Sequence, residues 1–517
     1  MRKFFKLLTS KFFVVALILL VEIALIPTAI ILLAANLPKF GTYFFGFIHI
    51  LDFILVLYII NSEINAEYKI AWIVVILFFP PFGATLFFIF RKRKNPRRKL
   101  KRRLMHDFPQ MAKMYRRQTD ADCKFMQMGG FAFQCAEYLR HESALPATDC
   151  YEYKYFATGE AYAAQLEQEL ARAEKFILLE YFVISEGKFW DRIHKILKEK
   201  ADAGVDVRVI YDDIGSLLGI PSDFAARLEK EGIRCLCFNR FRPVLDVAQN
   251  NRTHRKIAVI DGVTAFTGGI NIADEYTNEK TLHGHWKDTG VMVRGRAAQN
   301  FTAMFLQLWE LKNKEIKSNP DEGQYDKFLT DCPEGKYACL PFSDSPFEGK
   351  HNICESLYIK TIYNAKKYVY INTPYLILDG EMKKALVTAA HSGVDVRITV
   401  PFIPDKKYVY AVTKAFYTPL IKEGIRIYLY RPGFIHAKSI VSDGKYCIIG
   451  SSNMDFRSFY LHCECNIMFF DEEICEELEE DYLRVCTECE LMTESKSKTN
   501  IFRKIYRSIL RVFAPLM

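Results

Sequence analysis

The chain has 517 residues, with 70 Lys and Arg against 61 Asp and Glu, a net charge of +9, and 14 cysteines. With half its residues hydrophobic, it is too long and too apolar for a disordered chain or a small disulfide scaffold. The excess positive charge is slight for this length and gathers near the amino terminus, which argues against a nucleic-acid partner.

Met1 to Lys11 carries Arg2, Lys3, Lys6 and Lys11, and Phe12 to Ala35 is then apolar except for Glu22, Pro27 and Thr28. A run of that length predicts a membrane-spanning helix and is long for the apolar part of a cleaved signal. Two further apolar segments follow: Phe45 to Ile60, with His49 and Asp52 inside it, and Ile70 to Phe90, where Pro80-Pro81 and Gly83 predict a kink. Residues 1–103 are thus expected to form an all-α membrane anchor of two or three hydrophobic helices. The anchor closes on the basic cluster Arg91 to Arg103. Such a cluster favours the cytoplasmic side and suits anionic lipid, which puts the rest of the chain on the cytoplasmic face of a multi-pass cell-membrane protein. The number of full crossings stays open.

Residues 104–150 read as a polar connector with helical stretches. Glu160 to Ala173 then shows apolar residues at helical spacing, Lys175 to Val183 a buried strand, Phe189 to Ala203 a second helix and Val205 to Tyr211 a second strand. This alternation predicts α/β layers. From Cys235 to Asn251, with Arg240, Arg242 and Pro243, the chain reads as a loop leading into the next motif.

Gly204-Val-Asp-Val-Arg208 recurs as Gly393-Val-Asp-Val-Arg397, and His254-x-Lys256-x4-Asp261 recurs as His436, Lys438 and Asp443. Gly262, Gly268 and Asn271 match Gly444, Gly450 and Asn453 in the same register. One copy of so short a pattern fits any half-exposed strand beside a turn; two copies in register do not arise that way. The repeat is a domain duplication of roughly 190 residues, over 151–330 and 331–493, rather than a solenoid. On a strand, positions i and i+2 share a face, so each histidine is predicted to stand beside its lysine. Residues 494–517 close the chain as a basic amphipathic helix, with Phe502, Tyr506, Ile509 and Phe513 on one face and Arg503, Lys504, Arg507 and Arg511 around it; it either packs on the protein or lies on lipid.

The twin motifs, together with Glu180-Tyr181-Phe182, Tyr211-Asp212-Asp213-Ile214-Gly215-Ser216, Thr373-Pro374-Tyr375 and Gly450-Ser451-Ser452-Asn453-Met454-Asp455-x-Arg457-Ser458, resemble the phospholipase D superfamily, and within it the bacterial cardiolipin synthases. The amino-terminal Tyr68-Lys69-Ile70-Ala71-Trp72 and Pro80-Pro81-Phe82-Gly83 extend the likeness. The resemblance implies two α/β phospholipase D-like domains sharing one active site. It also places Asp288, in His283-Gly-His285-Trp-Lys-Asp288, and Glu464, in Leu461-His-Cys-Glu464, where the family keeps an acid that supports a catalytic histidine. Family members more often carry Asn and Phe where this chain has His462 and Cys463. Whether each acid serves its own repeat's histidine or the other's is not legible in the sequence.

Displacing an alcohol from a phosphodiester needs a nucleophile, cations for the phosphoryl oxygens and an acid for the leaving oxygen. Two His-Lys pairs supply all three. His254 is assigned as nucleophile, as the first motif often is in the family, and His436 as acid and base, although the twin motifs equally allow the reverse. Lys256 and Lys438 are expected to clamp the oxygens, with hydrogen bonds from Asn271 and Asn453 and a small donor in Ser451. Gly268, Gly269 and Gly450 allow close backbone approach, and Asp261 and Asp443 suit bracing of the turn. An imidazole titrating near about 6.5 shuttles protons unaided, so the chemistry calls for no metal or cofactor. His283 with His285 and Asp288 has a metal-like look, but Cys235-x-Cys237, Cys463-x-Cys465 and Cys486-x-x-Cys489 lack the paired spacing of a zinc site and read as free thiols. The expected activity is a membrane-anchored phosphatidyltransferase that joins two phosphatidylglycerols into cardiolipin and glycerol. Water or serine as acceptor gives a phospholipase or a phosphatidylserine-forming enzyme, and a lipid-binding scaffold is the non-enzymatic alternative.

Overall fold

The runs Phe176–Tyr181 and Asp206–Asp212 are buried on both of their alternating faces, apart from the half-buried Asp206, as strands covered on two sides are. In the computed structural model they pair in parallel, Phe176 opposite Asp206 and Tyr181 opposite Tyr211, and every residue of the first strand is buried. The structure describes Thr28, Ile31 and residues 38–62, 64–79, 82–90, 119–143, 145–241, 247–312, 325–346, 352–497, 500–512 and 514. Most of the first apolar run, the Arg91 to Arg103 cluster, Pro80-Pro81 and Arg242-Pro243 lie outside them.

Around that pair the first repeat builds a seven-stranded sheet in the order Glu152–Phe156, Gly290–Arg294, Thr264–Gly268, Lys256–Ile260, Phe176–Tyr181, Asp206–Asp212, Arg234–Phe238. The second repeats the order strand for strand: Tyr337–Asp344, Glu464–Phe469, Tyr446–Gly450, Ser439–Ser442, Tyr368–Asn372, Asp395–Pro401, Arg426–Tyr430. Its sheet gains an edge strand at either end, Cys489–Met492 and Thr148–Cys150. The latter, from the stretch read as a connector, pairs antiparallel with Tyr337–Asp344, so the chain visits the second sheet before building the first.

Helices cover the sheets where apolar spacing predicts them. Gly159–Arg172 starts at Thr158, whose hydroxyl accepts the Ala161 N–H, and buries Tyr162, Leu166 and Leu170. Lys188–Asp202 buries Phe189, Ile193 and Leu197 at the i, i+4, i+8 spacing of one helical face, with Trp190 beside them one turn before Ile193. The two sheets share one core, in which Val259, Ala265 and Val291 of the first repeat join Ile449, Cys465 and Ile467 of the second. The helices Ala297–Lys312 and Glu472–Thr487 contribute Phe301, Phe305, Ile474 and Leu478 to it. Two domains that bury their sheets against each other gain that area only when both are folded.

The described residues divide into two compact units, one within 1–94 and 241–250 and one within 95–240 and 251–515. The first contains the helices Pro38–Ile60, Ala66–Phe78 and Phe82–Phe90, joined by a small cluster of Leu55, Ile59, Ile76 and Phe87. The predicted kinked segment Ile70 to Phe90 is thus split between two helices. Gly83 lies so close to the Val75 carbonyl that a Cβ would come within 2.4 Å of its oxygen. Among the described residues no helix is long and apolar enough to cross a membrane.

Candidate active site

Each motif's aspartate forms a turn before it forms anything else. Asp261 adopts φ of 54° and Asp443 56°, with Gly262 and Gly444 also left-handed. The Asp261 carboxylate accepts the N–H groups of Glu174, Lys175 and Phe176 at 2.8–2.9 Å, and the Asp443 carboxylate those of Lys366, Lys367 and Tyr368 at 2.7–2.9 Å. These carboxylates anchor the entry of a central strand, and their oxygens are already committed. They therefore belong to the scaffold rather than to a set of reacting groups.

The histidines lie just ahead of the strands instead of on them, which corrects the expected single strand carrying both His and Lys. The ladder strands begin at Lys256 and Ser439, because the preceding backbone pairs with the other repeat. Thr253 bridges Cys463, and the His254 N–H donates to the Cys463 carbonyl at 2.9 Å. In the other half Gly433–Ile435 runs parallel to His285–Lys287, and the His436 N–H donates to the Lys287 carbonyl at 2.7 Å.

These two short pairings deliver an acid from each repeat to the other's histidine. His254 Nδ1 lies 3.0 Å from both carboxylate oxygens of Glu464, and His436 Nδ1 lies 2.6 Å from Asp288 Oδ2. The question the sequence left open therefore has a crossed answer. All four side chains are buried, as are Lys256 and Lys438, whose ammonium groups donate to the carbonyls of His254 and His436. Aromatic rings fix the imidazoles: Phe182 packs edge-on to His254 at 5.1 Å, and Tyr276 and Trp286 each lie 5.3 Å from His436.

The acids are accommodated differently. In the first repeat a Cβ on Gly269 would come within 2.0 Å of Asp288 Oδ1, so only glycine leaves room for this carboxylate. At the equivalent position of the second repeat stands Ser451, whose hydroxyl donates to Glu464 Oε2, while Ser458 donates to Oε1 at 2.7 Å. The longer acid thus comes with two added hydroxyl donors. Gly268 and Gly450 lie against Thr289 and Asn466 with no space for a side chain.

Asn271 spends its side chain on the fold, accepting from the Val183 N–H at 3.0 Å and donating to the Tyr276 hydroxyl at 2.7 Å. Its expected hydrogen bond to substrate gives way to this bracing role. The buried Asn453 carbonyl oxygen has no hydrogen-bond partner among the described residues. His285 bonds to the Tyr430 hydroxyl at 2.8 Å instead of joining Asp288 in a metal-like group. His462, which the motifs did not mark, stands 5.4 Å from the His254 ring. Its one signal in the sequence is the departure from the residue that the resemblance predicts.

Burial dominates the electrostatics. It pushes His254 down to about 3 against the pull of Glu464, and takes His436 well below its ordinary value with help from Lys438 and Lys256. Burial also raises Asp288 to about 6, opposed by Lys438, whereas at Glu464 the neighbouring His254 and His462 outweigh burial and hold the carboxyl below its usual range. Lys256 is lowered to about 8 and Lys438 well below its ordinary value, both chiefly by burial. Near neutral pH the free site therefore holds neutral imidazoles, each presenting an Nδ1–H to a carboxylate and leaving Nε2 with its lone pair.

The family profile described as cardiolipin synthase, PLD-like domain, matches residues 166–309 and 358–486, and one described as phospholipase D-nuclease N-terminal matches 50–92. A cardiolipin synthase of Clostridium perfringens (strain ATCC 13124) is 32% identical over 466 residues, covering 88% of this chain and 95% of that protein. A cardiolipin synthase of Geobacillus kaustophilus is 30% identical over 460 residues, 87% of this chain and 88% of the relative. Among solved structures, phosphatidylserine synthase of Haemophilus influenzae Rd KW20 shares the fold at 14% identity, with a TM-score of 0.57 over 74% of this chain and 97% of that one.

Proposed function

The chain belongs to the cardiolipin synthase family of phospholipase D-like proteins, and from that membership we infer that it is a phosphatidyltransferase that joins two phosphatidylglycerols into cardiolipin and releases glycerol. The observation that carries the mechanism is the crossed pairing of His254 with Glu464 and His436 with Asp288. A carboxylate that holds Nδ1–H fixes the tautomer and leaves Nε2 free to attack or to exchange a proton.

In the first half-reaction His254 Nε2 attacks phosphorus of the donor lipid, the P–O bond to glycerol breaks, and His436 supplies the proton that the departing oxygen takes. The ionised Glu464 supports His254 in this role, because it favours the positive charge that builds on the imidazole as the phosphohistidine forms. The arriving anionic phosphodiester raises the proton affinity of His436 from its depressed value, so the acid becomes loaded where it is needed. In the second half-reaction His436 takes the proton of the second lipid's hydroxyl, that oxygen attacks phosphorus, and His254 departs. Lys256 and Lys438 hold the non-bridging oxygens, and the Asn453 amide adds a further contact.

A membrane location fits lipid substrates that stay in the bilayer, and three features support it. In the sequence the apolar run Phe12 to Ala35 precedes the helix Pro38–Ile60 and the basic cluster Arg91 to Arg103 follows the helix Phe82–Phe90. On the helix Pro38–Ile60, Phe47, Ile50, Phe53 and Ile54 are exposed. On the helix Ile501–Val512, Phe502, Ile505, Tyr506 and Ile509 form an exposed apolar face beside Arg503, Lys504 and Arg511. We read the protein as anchored in the cell membrane with its catalytic unit on the cytoplasmic face.

The test is to incubate purified full-length protein with phosphatidylglycerol vesicles without added metal, and to follow lipids and glycerol by mass spectrometry. Cardiolipin and glycerol in equal amounts, lost in His254→Ala and His436→Ala, is the expected result. Phosphatidic acid in place of cardiolipin would make water the acceptor and the protein a phospholipase.

A further inference from the structure

His462 is 8% exposed, and neither ring nitrogen has a hydrogen-bond partner among the described residues. A buried imidazole left so gives up hydrogen bonds it would make to water, a cost that a ligand at these nitrogens removes. Nδ1 points toward the catalytic carboxylate, 3.7 Å from Glu464 Oε1 and beyond hydrogen-bond reach, while the ring lies 5.4 Å from that of His254 and packs face-on to Phe182 at 6.4 Å. One ligand atom from each of His254, His462 and Glu464 falls within 4.8 Å of the other two. Metal-free phosphoryl transfer as derived above has no use for this third imidazole.

We propose that His254, His462 and Glu464 form an inhibitory site for a divalent transition-metal ion of the zinc class. Two imidazole nitrogens and one carboxylate oxygen suit Zn²⁺ and its neighbours, whereas Mg²⁺ and Ca²⁺ take all-oxygen sets. Tetrahedral Zn²⁺ with bonds of about 2.0–2.1 Å spaces its ligand atoms roughly 3.3 Å apart, so closing the site from a span of 4.8 Å takes a movement of up to about 1.5 Å, shared among the three side chains. The Ser451 and Ser458 hydroxyls hold the Glu464 carboxylate in place for it, and the fourth position is left to water. Lys256, beside His254, opposes the cation by charge, which sets the expected affinity below that of a structural zinc site.

The consequence for catalysis follows from the tautomer. When the metal takes the Nδ1 lone pair of neutral His254, the proton that Nδ1 carried moves to Nε2. No proton is lost from the ring, but Nε2 gives up the lone pair that the transfer reaction needs. Occupancy therefore switches off the nucleophile without blocking the lysines.

Binding does not rest on the function proposed above; only the inhibition rests on His254 being the nucleophile, so the two are measured separately. Co²⁺ absorption and Zn²⁺ calorimetry on the full-length protein are compared with His462→Asn, the fourteen cysteines being the same in both. Wild type is expected to bind one more equivalent than the variant, with d–d bands of a low-coordinate Co²⁺ site that the variant lacks. Its turnover of phosphatidylglycerol, relative to its own metal-free rate, should fall as that equivalent binds, return with a chelator, and leave Mg²⁺ without effect. His462→Asn should need at least about tenfold more Zn²⁺, the cost that even an outer-shell change carries. Equal stoichiometry and equal affinity in the two proteins overturn the site; metal bound there with turnover unchanged overturns its inhibitory role. If wild type shows no turnover at all, the proposed reaction fails while the binding comparison still decides the site.

Discussion

At the scale of the residue, the site depends on taking two histidines out of water next to acids. His254, with an ordinary imidazole value near about 6.5 when unfolded, is pushed down to about 3 in the fold. Between these values the unfolded chain binds a proton that the folded one refuses, so this group's contribution to stability is complete above about pH 6.5 and lost as pH falls toward 3. One such proton corresponds to a slope of about 1.4 kcal/mol per pH unit. Denaturant unfolding of wild type and His254→Gln at pH 6.5, 5.5 and 4.5 measures it: the variant is expected to lose stability on acidification less steeply, by about that amount per unit. Asp288 works in the opposite sense, since its raised value favours the folded state at low pH and loses that advantage as pH rises through about 6, so the comparison must be made within one background.

At the scale of the element, two parallel contacts of a few residues do what the large sheets do not. The strand Gly433–Ile435 against His285–Lys287, and the bridge between Thr253 and Cys463, fix which acid meets which histidine. Gly269 is the point where this arrangement leaves least room, because a methyl group there would meet Asp288 Oδ1 at 2.0 Å. Gly269→Ala is therefore expected to push Asp288 off His436 while leaving the His254–Glu464 pair in place. A displacement of this order lowers kcat by about 10- to 100-fold. Steady-state kinetics, with circular dichroism to show the fold retained, checks it; an unchanged kcat would mean that His436 does not need its acid.

At the scale of the whole molecule, the two repeats are one catalytic unit held by a common core, and the helix Ile501–Val512 packs beside it with an apolar face left exposed. Arg511 stacks over Phe416 at 4.8 Å, holding Ile501–Val512 to the helix Lys407–Lys422 while Phe502, Ile505 and Ile509 remain exposed. Replacing those three by Ser is expected to leave the unfolding midpoint of the catalytic unit unchanged and to weaken attachment to anionic vesicles. At about 1 kcal/mol for each half-buried side chain the loss is about 100-fold. Vesicle flotation measures it in a chain from which the amino-terminal segments up to Arg103 have been removed, provided that chain folds; in the full protein the same three changes are expected to lower turnover of vesicle lipid.

The sequence by itself determined the duplication, the alternation of strands and helices and the paired His-x-Lys-x4-Asp motifs, because those follow from local periodicity and from a pattern that occurs twice in register. Gly159–Arg172, Phe176–Tyr181 and Lys188–Asp202 fall within a residue or two of where apolar spacing predicts them. Only the tertiary structure decided that Glu464 serves His254 and Asp288 serves His436, that Asn271 braces the backbone, and that His462 stands beside His254. Those are contacts between residues up to 210 positions apart, and no local pattern encodes them. They exist because two similar sheets, each with an apolar face to bury, bury it against the other.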